Sequence, residues 1–503
     1  MEVLETASRI CYHPSIHQLG VVGRAPRPRV DGPPGAPEFR TADSALSDLV
    51  TIAMLLPVFS NNQIAAYIQA GFFEGGVNYK WNLGNAGTAP QFGVITYNTT
   101  GLTTEGTFLA DQALALYETI LGIDFVRVGG AADITFNDHH SGAFTSISPT
   151  GSTITSASVN VSTVWLASYG TAIGTYSFQV YLHEIGHALG LGHAGDYNSS
   201  ANYVTDTTDP HFGENSNHYL NDSWQATMMS YFSQLQNTHV NASYARLISP
   251  MIADWIALGN KYGTSASAFS GNTIWGSNTN IVSTAYASLA DLADTNAFTI
   301  FDAGGTDTVD FSGFASHQRL DLRTETISNV GGRTGNMIIA RGSLIENAVG
   351  GSGNDILTGN TVKNVLRGNA GNDLIGGGAG NDTLVGQSGK DTLVGGANND
   401  RFDFNAASES PVGANCDVLQ SGGGGAAFDL AGPGNGDRID LADIFAGVLT
   451  FGGSGMGHVR CVNSGTTTKV LAYLNNATGA DFQINILDGA TLADVYAGGD
   501  FIL

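Results

Sequence analysis

Cysteine and basic residues are scarce in this 503-residue chain. There are three cysteines, Cys11, Cys416 and Cys461, so any disulfide leaves one thiol over and a framework of several disulfides is excluded. Lys and Arg number 20 against 44 Asp and Glu, which gives a formal net charge of −24. Phosphate groups repel such a chain, so nucleic acid and anionic membrane surfaces are poor partners. The acidic excess favours divalent cations instead.

Long apolar runs are missing as well. The first thirty residues mix charges and prolines, and the longest early apolar run, residues 49–59, is too short to span a bilayer. The sequence therefore predicts no membrane span and no N-terminal secretion signal. The segment RAPRPRVDGPPGAPEFR within residues 12–40 neither packs a core nor sustains a helix. We therefore expect residues 1–44 to be an N-terminal extension or a propeptide.

Residues 45–503 divide into two parts that differ in residue pattern, and their length already suggests more than one domain. Residues 45–260 mix a helical pattern over 107–121, a strand-like ADITF at 132–136 and a helical run over 181–189, which predicts an α+β domain. Residues 261–503 consist of short β-branched runs broken by Gly, Asn and Asp, which predicts an all-β domain. The boundary is expected near residue 260.

A repeat of nine residues lies inside the second half, over residues 350–403. Its units are GGSGNDILT, GNTVKNVLR, GNAGNDLIG, GGAGNDTLV, GQSGKDTLV and GGANNDRFD. Each unit supplies a glycine-rich turn whose carboxylate and carbonyl oxygens suit Ca²⁺, followed by a short strand with one apolar residue inward. The pattern predicts a calcium-filled parallel β-roll. The predicted inward residues are Leu357, Leu366, Ile375, Leu384, Leu393 and Phe402.

The sequence HEIGHALGLGH, residues 183–193, carries the chemistry. His183 and His187 are four residues apart, so both imidazoles lie on one helical face and can reach one metal ion, with Glu184 beside them. Gly190 can adopt a positive φ that turns the chain and brings His193 back as a third ligand. Three ligands leave one position open for water, which is typical of catalytic zinc.

This motif resembles that of the metzincin metalloproteases, and the segment MMSYF at 228–232 resembles the methionine turn of the serralysin branch. The resemblance implies a metzincin fold, one catalytic Zn²⁺, Met229 beneath the zinc ligands and Tyr231 as a further ligand and catalytic residue. It also implies that ADITF is the edge strand that pairs with a peptide substrate. Ala194 stands where serralysins usually have Pro, which affects loop rigidity rather than ligation.

The calcium half resembles the same family and its RTX repeats. The resemblance adds the segment DAGGTDT at 302–308 and Glu346 to the calcium-binding positions. The predicted calcium ligands are Asp302, Gly304, Gly305, Asp307, Glu346, Gly351, Gly353, Asp355, Gly368, Gly371, Asp373, Gly377, Gly378, Gly380, Asp382, Gly386, Gly389, Asp391, Gly395 and Asp400. Asn272 and Asn364 stand where Asp is usual, so the calcium sites beside them are expected to be weak or absent.

Export and partners follow from the same resemblance. Serralysin-like proteins are type I secretion substrates with a C-terminal signal, and this chain ends in Asp-Phe-Ile-Leu. We therefore expect a type I ABC exporter as a partner, an extracellular location, a monomer, and protein or peptide substrates. Cys11 invites comparison with the cysteine switch of related proteases, although RICYHP does not match that motif.

The predicted function is thus a secreted zinc endopeptidase in which Glu184 activates water and calcium folds the C-terminal half. Two alternatives stay open at this point. One is a calcium-dependent binding or surface-layer protein with a vestigial zinc site, which the intact Glu184 argues against. The other is a non-peptidase zinc hydrolase, which the third histidine and the methionine turn argue against.

Overall fold

The structure is a computed structural model. It describes the backbone of residues 9–13 and residues 54–70, 76–83, 93–422, 428, 436–453, 455–475, 478–488 and 496–503. Most of the predicted N-terminal extension therefore lies outside the described residues. None of the helices within these ranges is long and apolar enough to cross a membrane.

The described residues of the first half form five helices and eight strands. The helices are α1 (Asn61–Ala70), α2 (Thr104–Leu121), α3 (Thr163–Tyr169), α4 (Tyr176–Ala188) and α5 (Ile252–Tyr262). The strands are β1 (Arg9–His13), β2 (Lys80–Trp81), β3 (Val94–Gly101), β4 (Asp124–Arg127), β5 (Ile134–Asn137), β6 (Ala143–Thr150), β7 (Thr153–Val161) and β8 (Arg246–Leu247). Helix α2 begins three residues before the predicted stretch, because Thr103 caps it by accepting a hydrogen bond from Gly106 N–H (3.2 Å).

The main sheet of this half has the order β1-β6-β7-β5-β3-β4, with β2 beside β7. Strand β5 contains most of ADITF and pairs with β3 on one side and β7 on the other. The expectation that ADITF is a free edge strand is therefore wrong. Periodicity shows that a segment is a strand but not which strands flank it, and the antiparallel hairpin β6–β7 covers the edge that β5 would otherwise expose.

The described residues of the second half form twenty strands and one short α-helix, together with two 3-10 helices, Ala285–Ser288 and Gly498–Asp500. Before the repeats lie β9 (Ile274–Gly276), α6 (Leu289–Leu292), β10 (Asn296–Ile300), β11 (Thr308–Asp310), β12 (Arg319–Asp321), β13 (Ile327–Ser328) and β14 (Met337–Ile339). The repeat region holds β15 (Asn347–Val349), β16 (Ile356–Thr358), β17 (Val365–Ala370), β18 (Leu374–Ala379), β19 (Thr383–Ser388), β20 (Thr392–Ala397) and β21 (Arg401–Asp403). The end holds β22 (Asp417–Gln420), β23 (Arg438–Asp440), β24 (Thr450–Phe451), β25 (His458–Ser464), β26 (Thr467–Tyr473), β27 (Phe482–Leu487) and β28 (Phe501–Ile502).

Successive repeat strands alternate between two sheets, as a β-roll requires. One sheet has the order β28-β23-β21-β19-β17-β15-β11-β9 and the other runs β12-β16-β18-β20-β22-β27-β26-β25-β24. Neighbours within the repeat region are parallel and eighteen residues apart, as in Ile356 beside Leu374. The predicted architecture, an α+β unit followed by a parallel β-roll, is confirmed, and antiparallel β25, β26 and β27 lengthen the second sheet.

The interior of the roll is a column of apolar side chains. All six predicted inward residues, from Leu357 to Phe402, are at most 1% exposed. They belong to the same buried cluster as the core of the first half. Because the column is one side chain wide on each wall, the turns that join the two sheets must be held together by other contacts.

Candidate functional site

Helix α4 carries the first two histidines, and every one of its residues is buried. Gly190 follows with φ of +87°, and a Cβ there would lie 2.2 Å from the Tyr79 carbonyl oxygen, so only glycine fits the turn. This turn returns His193 to the helix. Within the part of the chain that is described, ring nitrogens of His183, His187 and His193 lie within 4.8 Å of one another.

Backbone carbonyls orient two of the imidazoles. Nδ1 of His183 is 2.8 Å from the Met228 carbonyl oxygen, and Nδ1 of His187 is 2.8 Å from that of Leu191. A ring that donates its Nδ1 proton to a carbonyl keeps a lone pair on Nε2. Nε2 of His187 is 3.0 Å from Nε2 of His193. Burial lowers the pKa of His183 to about 4 and that of His193 well below its ordinary value, so both rings are neutral donors at pH 7.

Glu184 is fully buried beside the three rings. Its Oε2 accepts a hydrogen bond from Thr145 Oγ1 (2.8 Å), and that hydroxyl also lies 2.9 Å from the Glu184 carbonyl oxygen. Its Oε1 has no hydrogen-bond partner among the described residues. Burial raises the pKa of Glu184 well above its ordinary value, and the Thr145 hydrogen bond lowers it in part.

This donor set fits a zinc ion. Three neutral imidazoles converge, Zn²⁺ takes histidine nitrogen readily, and a buried carboxylate oxygen beside them is left for a water molecule. Across the described ranges, no other group of three or more His, Cys, Asp and Glu side chains brings its possible ligand atoms within 4.8 Å of one another. Cys416 and Cys461 are free thiols away from this group.

The methionine turn packs against α4 from below. A Cβ at Gly186 would lie 2.6 Å from Met228 Cε and 3.1 Å from Met229 Sδ, so the helix approaches this turn at a glycine. Buried Asp254 fixes the turn by accepting hydrogen bonds from Thr227 Oγ1 (2.5 Å) and Met228 N–H (2.7 Å). It also accepts one from Met251 N–H (2.8 Å). The carbonyl of Met228 in turn positions His183.

Tyr231 lies next to the histidines. Its ring centroid is 4.6 Å from that of His193 and 6.1 Å from that of His183. Tyr197 stacks on Tyr231 with centroids 4.7 Å apart, and the Tyr197 hydroxyl donates to buried Asp222 (2.9 Å). Burial raises the pKa of Asp222 to about 7. Asp222 therefore holds Tyr197 in place, and the stacking of Tyr197 fixes the position of the Tyr231 ring.

The predicted calcium positions lie in the turns and strand ends that join the two sheets of the second half. The turn between β10 and β11 holds Asp302, Gly304, Gly305 and Asp307, and Glu346 immediately precedes β15. The repeat turns and adjoining strand ends hold Gly351, Gly353, Asp355, Gly368, Gly371, Asp373, Gly377, Gly378, Gly380, Asp382, Gly386, Gly389, Asp391, Gly395 and Asp400.

Two ladders of buried carboxylates connect these turns. In one ladder, Oδ1 of Asp373 accepts from Asp355 N–H (2.7 Å) and Oδ1 of Asp391 accepts from Asp373 N–H (2.8 Å). In the other, Oδ1 of Asp382 accepts from Asn364 N–H (2.7 Å) and Oδ1 of Asp400 accepts from Asp382 N–H (2.9 Å). Each carboxylate thus ties its turn to the turn eighteen residues earlier.

The second oxygen of these carboxylates faces open space kept by glycine. Oδ2 of Asp373, Asp382 and Asp391 is buried without a hydrogen-bond partner in the described chain. A Cβ at Gly377 would lie 2.4 Å from Asp382 Oδ2 and 2.5 Å from the Gly395 carbonyl oxygen. An opening between oxygen atoms, lined by unpaired carboxylates, fits Ca²⁺, which binds oxygen ligands only.

Asn364 differs from the aspartates of the ladder. Its Nδ2 donates to the Glu346 carbonyl oxygen (2.8 Å) and lies 3.1 Å from Asn360 Oδ1. A hydrogen-bond donor therefore takes the place of an unpaired carboxylate oxygen at this turn. The side-chain position of Asn364 therefore does not fit a cation ligand.

Sequence reasoning missed several residues of both sites. Thr145 and Asp254 carry no motif, because each meets its partner only through the fold. Asp417 and Asp437 extend the two ladders by accepting from Asp391 N–H (2.7 Å) and Asp400 N–H (2.8 Å). They lie 26 and 37 residues after those donors, so the nine-residue period could not have found them.

Known proteins match both halves of this chain. The Matrixin family profile matches residues 101–213, and the profile of the Peptidase M10 serralysin C terminal matches residues 265–497. Metallopeptidase AprA of Pseudomonas marginalis is 35% identical over 408 residues, which cover 77% of this chain and 79% of that protein. Serralysin C of Dickeya chrysanthemi is 44% identical over 175 residues, which span 34% of its length. Serralysin of Photorhabdus luminescens is 40% identical over 177 residues, which span 35% of its length.

The matrixin-type half with its three buried histidines, followed by a β-roll, defines the class as a zinc metalloendopeptidase. Because the match to Metallopeptidase AprA covers more than two thirds of both chains, this chain belongs to the serralysin-type metalloproteases. The predicted family is confirmed.

Proposed function

We propose that this chain is a secreted, calcium-dependent zinc endopeptidase acting on protein and peptide substrates. The observation that carries the proposal is the buried Oε1 of Glu184, which has no hydrogen-bond partner in the described chain and lies beside three converging imidazoles. In this proposal residues 45–260 form the catalytic domain and residues 261–503 the calcium-binding roll.

His183, His187 and His193 would hold the zinc ion, with Tyr231 as a further ligand above Met229. When bound, zinc would supply Lewis-acid polarisation of the substrate carbonyl and a lowered pKa for water. Oε1 of Glu184 would take a proton from the attacking water and deliver it to the leaving amine. The Thr145 hydrogen bond holds the carboxylate in place during both transfers. Tyr231 would orient the carbonyl oxygen through its hydroxyl.

The substrate backbone would pair with β6. The side chain of Thr145 on this strand reaches Glu184, so the strand lies next to the proposed catalytic group. Pairing of an extended peptide with a strand uses backbone hydrogen bonds and tolerates many side chains. Strand β6 therefore replaces ADITF as the proposed substrate strand.

Calcium would fill the openings between the turns of the roll, with Asp302, Asp307, Glu346, Asp355, Asp373, Asp382, Asp391 and Asp400 as carboxylate ligands and the predicted turn glycines lining the sites. Without cations the stacked carboxylates repel one another, so the low calcium of a cytosol would leave the roll much less stable than it is outside the cell. We therefore propose export by a type I exporter and folding outside the cell.

The test compares Glu184→Gln with Glu105→Gln, a change of the same kind on exposed Glu105. Casein hydrolysis by Glu184→Gln should fall by about 10³-fold or more, because general base catalysis typically contributes 10²–10⁴-fold. Elemental analysis should find one zinc per chain in both variants. Equal hydrolysis by both variants, or full activity after chelation, would contradict the proposal and favour a calcium-binding protein with a vestigial centre.

A further inference from the structure

Two aromatic side chains hold the histidine turn, residues 188–192, which joins the second histidine to the third. Nε1 of Trp81, in β2, donates to the Ala188 carbonyl oxygen (2.9 Å). The hydroxyl of Tyr262, the last residue of α5, donates to the Leu189 carbonyl oxygen (2.8 Å). That hydroxyl also accepts a hydrogen bond from Trp81 N–H (3.2 Å), so β2 and α5 meet at the turn.

Helix α1 and the residue before β2 hold the rest of the histidine turn. Gly192 N–H donates to the Ile68 carbonyl oxygen, in the last turn of α1 (2.7 Å). The Tyr79 carbonyl oxygen faces Gly190, where a Cβ would lie 2.2 Å from it. His193 follows directly after these contacts. The place of its ring therefore depends on how α1, β2 and α5 lie relative to one another.

One buried lysine connects these three segments. Lys261, on α5, is 5% exposed, and its Nζ donates to the carbonyl oxygen of Tyr79 (2.8 Å) and to that of Gln69, near the end of α1 (3.2 Å). It also donates to Oδ1 of Asn78. The donor belongs to α5, whereas the acceptors belong to α1 and to the residues that lead into β2.

These three acceptors are uncharged, so they do not neutralise the ammonium group. Burial, together with the charge of nearby Lys80, lowers the pKa of Lys261 to about 7. A buried amine costs free energy unless hydrogen bonds replace those it made to water. All three acceptors are available only while the three segments stay together. Lys261 therefore favours one arrangement of α1, β2 and α5, which an apolar side chain of the same length would not require.

We propose that Lys261 is a positioning residue for His193: its three hydrogen bonds hold together the segments that fix the histidine turn. The inference rests on the proposed function, since it takes His193 to be a zinc ligand. Lys261 acts on that ligand through Tyr79 and Gln69. Without the ammonium the turn is held less firmly, so zinc leaves the site faster.

Lys261→Met tests this in the full-length chain, because it keeps the length of the side chain and removes its three donors. The control is Lys80→Met, which removes an exposed lysine from β2. A zinc-selective chelator is added to zinc-loaded protein in excess calcium, so that the roll stays folded. The rate of zinc loss should rise by about 10-fold to 100-fold in Lys261→Met, the effect typical of removing a group that orients a metal ligand, and should not change in Lys80→Met.

Two further readouts separate positioning from packing. Lys261→Ala leaves a space that n-propylamine matches, and this amine should slow zinc loss in that variant. The alcohol n-propanol fills the same space with one donor instead of three and should not slow it. The unsubstituted chain in the same amine corrects for binding of the amine to zinc. In Lys261→Met, kcat should fall by about tenfold or more with little change in KM, because the substrate strand β6 is not altered.

A milder variant serves if Lys261→Met does not fold. Asn78→Ala removes one acceptor at an exposed position, and its control is Asn82→Ala, an exposed asparagine next to β2. Loss of one hydrogen bond should speed zinc loss by about 2-fold to 10-fold in Asn78→Ala alone.

The outcomes separate this inference from the proposed function. Equal rates of zinc loss in Lys261→Met and Lys80→Met, or in the two asparagine variants, would overturn the positioning role and leave the protease intact. Recovery by n-propanol as large as that by n-propylamine would also overturn it, since packing would then explain the effect. A chain that holds no zinc with Lys261 in place refutes the proposed function instead.

Discussion

The Thr145 hydroxyl lies 2.8 Å from Oε2 of Glu184, across 39 residues of sequence and between a strand and a helix. It is the only hydrogen-bond donor that the described residues give to this carboxylate, and it lowers a pKa that burial otherwise raises. The proton-transfer capacity of Glu184 therefore depends on a residue of the proposed substrate strand.

Replacing Thr145 by Val removes the hydroxyl and keeps the shape of the side chain. Because a hydrogen bond to a charged group contributes roughly 1.5–3 kcal/mol, kcat/KM should fall by about 10-fold to 100-fold. The pKa of Glu184 should rise, so the acid limb of the pH profile of kcat/KM moves to higher pH. Thr145→Ser, which keeps the hydroxyl, should retain most of the activity, and equal losses in both variants would assign the effect to packing.

Asp254 should control both stability and zinc retention. In Asp254→Ala the backbone N–H groups of Met228 and Met251 lose their buried acceptor, which should cost about 3–5 kcal/mol of unfolding free energy. Asp254→Asn keeps one acceptor oxygen and should cost less. Urea unfolding and the rate of zinc loss to a chelator measure these effects. Asp291→Asn on exposed Asp291 is the control, and a cost equal to that of Asp254→Ala would contradict this role.

Calcium should reverse the direction in which the stability of the roll changes with pH. Burial raises the pKa of Asp373 to about 7 and the pKa of Asp382 and Asp391 to about 6, against about 4 in an unfolded chain. The calcium-free folded state thus binds more protons than the unfolded state between about pH 4 and pH 7, so its stability falls as pH rises through this window.

Thermal unfolding followed by circular dichroism checks this. In a chelator, Tm of the roll should be higher at pH 5 than at pH 8. In calcium of about 5 mM, above the range that extracellular modules need, Tm should be higher at pH 8, because calcium takes the deprotonated carboxylates. The same slope under both conditions would show that these aspartates do not bind the ion.

Asn364 should stabilise its turn without a bound calcium ion. Asn364→Asp removes the amide donor to the Glu346 carbonyl, so in a chelator the unfolding free energy should fall by about 1–3 kcal/mol. Added calcium should recover part of the loss. The control is Asn354→Asp, an exposed position where the side-chain oxygen accepts from Asn372 N–H and a carboxylate can do the same. If Asn364→Asp is as stable as the control in chelator, the amide is not a substitute for the ion.

Local patterns predicted the parts of this molecule that are built locally. HEIGH and its glycine turn specify a helix and a return of the chain within eleven residues, and the nonapeptides specify both walls of the roll and their inward side chains. Each feature depends on spacing along the chain, so the sequence shows it directly.

The errors and omissions concern contacts between distant segments. The pattern of ADITF predicts a strand, and the structure has one there. Which strands flank it is decided by the hairpin β6–β7 that follows and by parallel pairing with β3, and periodicity reveals neither. Thr145, Asp254 and Tyr197 gain their roles only when strand, turn and loop meet around α4. Asp417 joins its ladder after an irregular segment, where the repeat has ended.

The spacing of eighteen residues along each ladder limits how the roll can change in length. Deleting a single nonapeptide would shift every later strand to the opposite sheet and move each later aspartate into the other ladder. Deleting two adjacent units would shorten the roll and leave every later strand in its original sheet, paired as before. Duplications and losses in the history of this half are therefore expected to come in pairs.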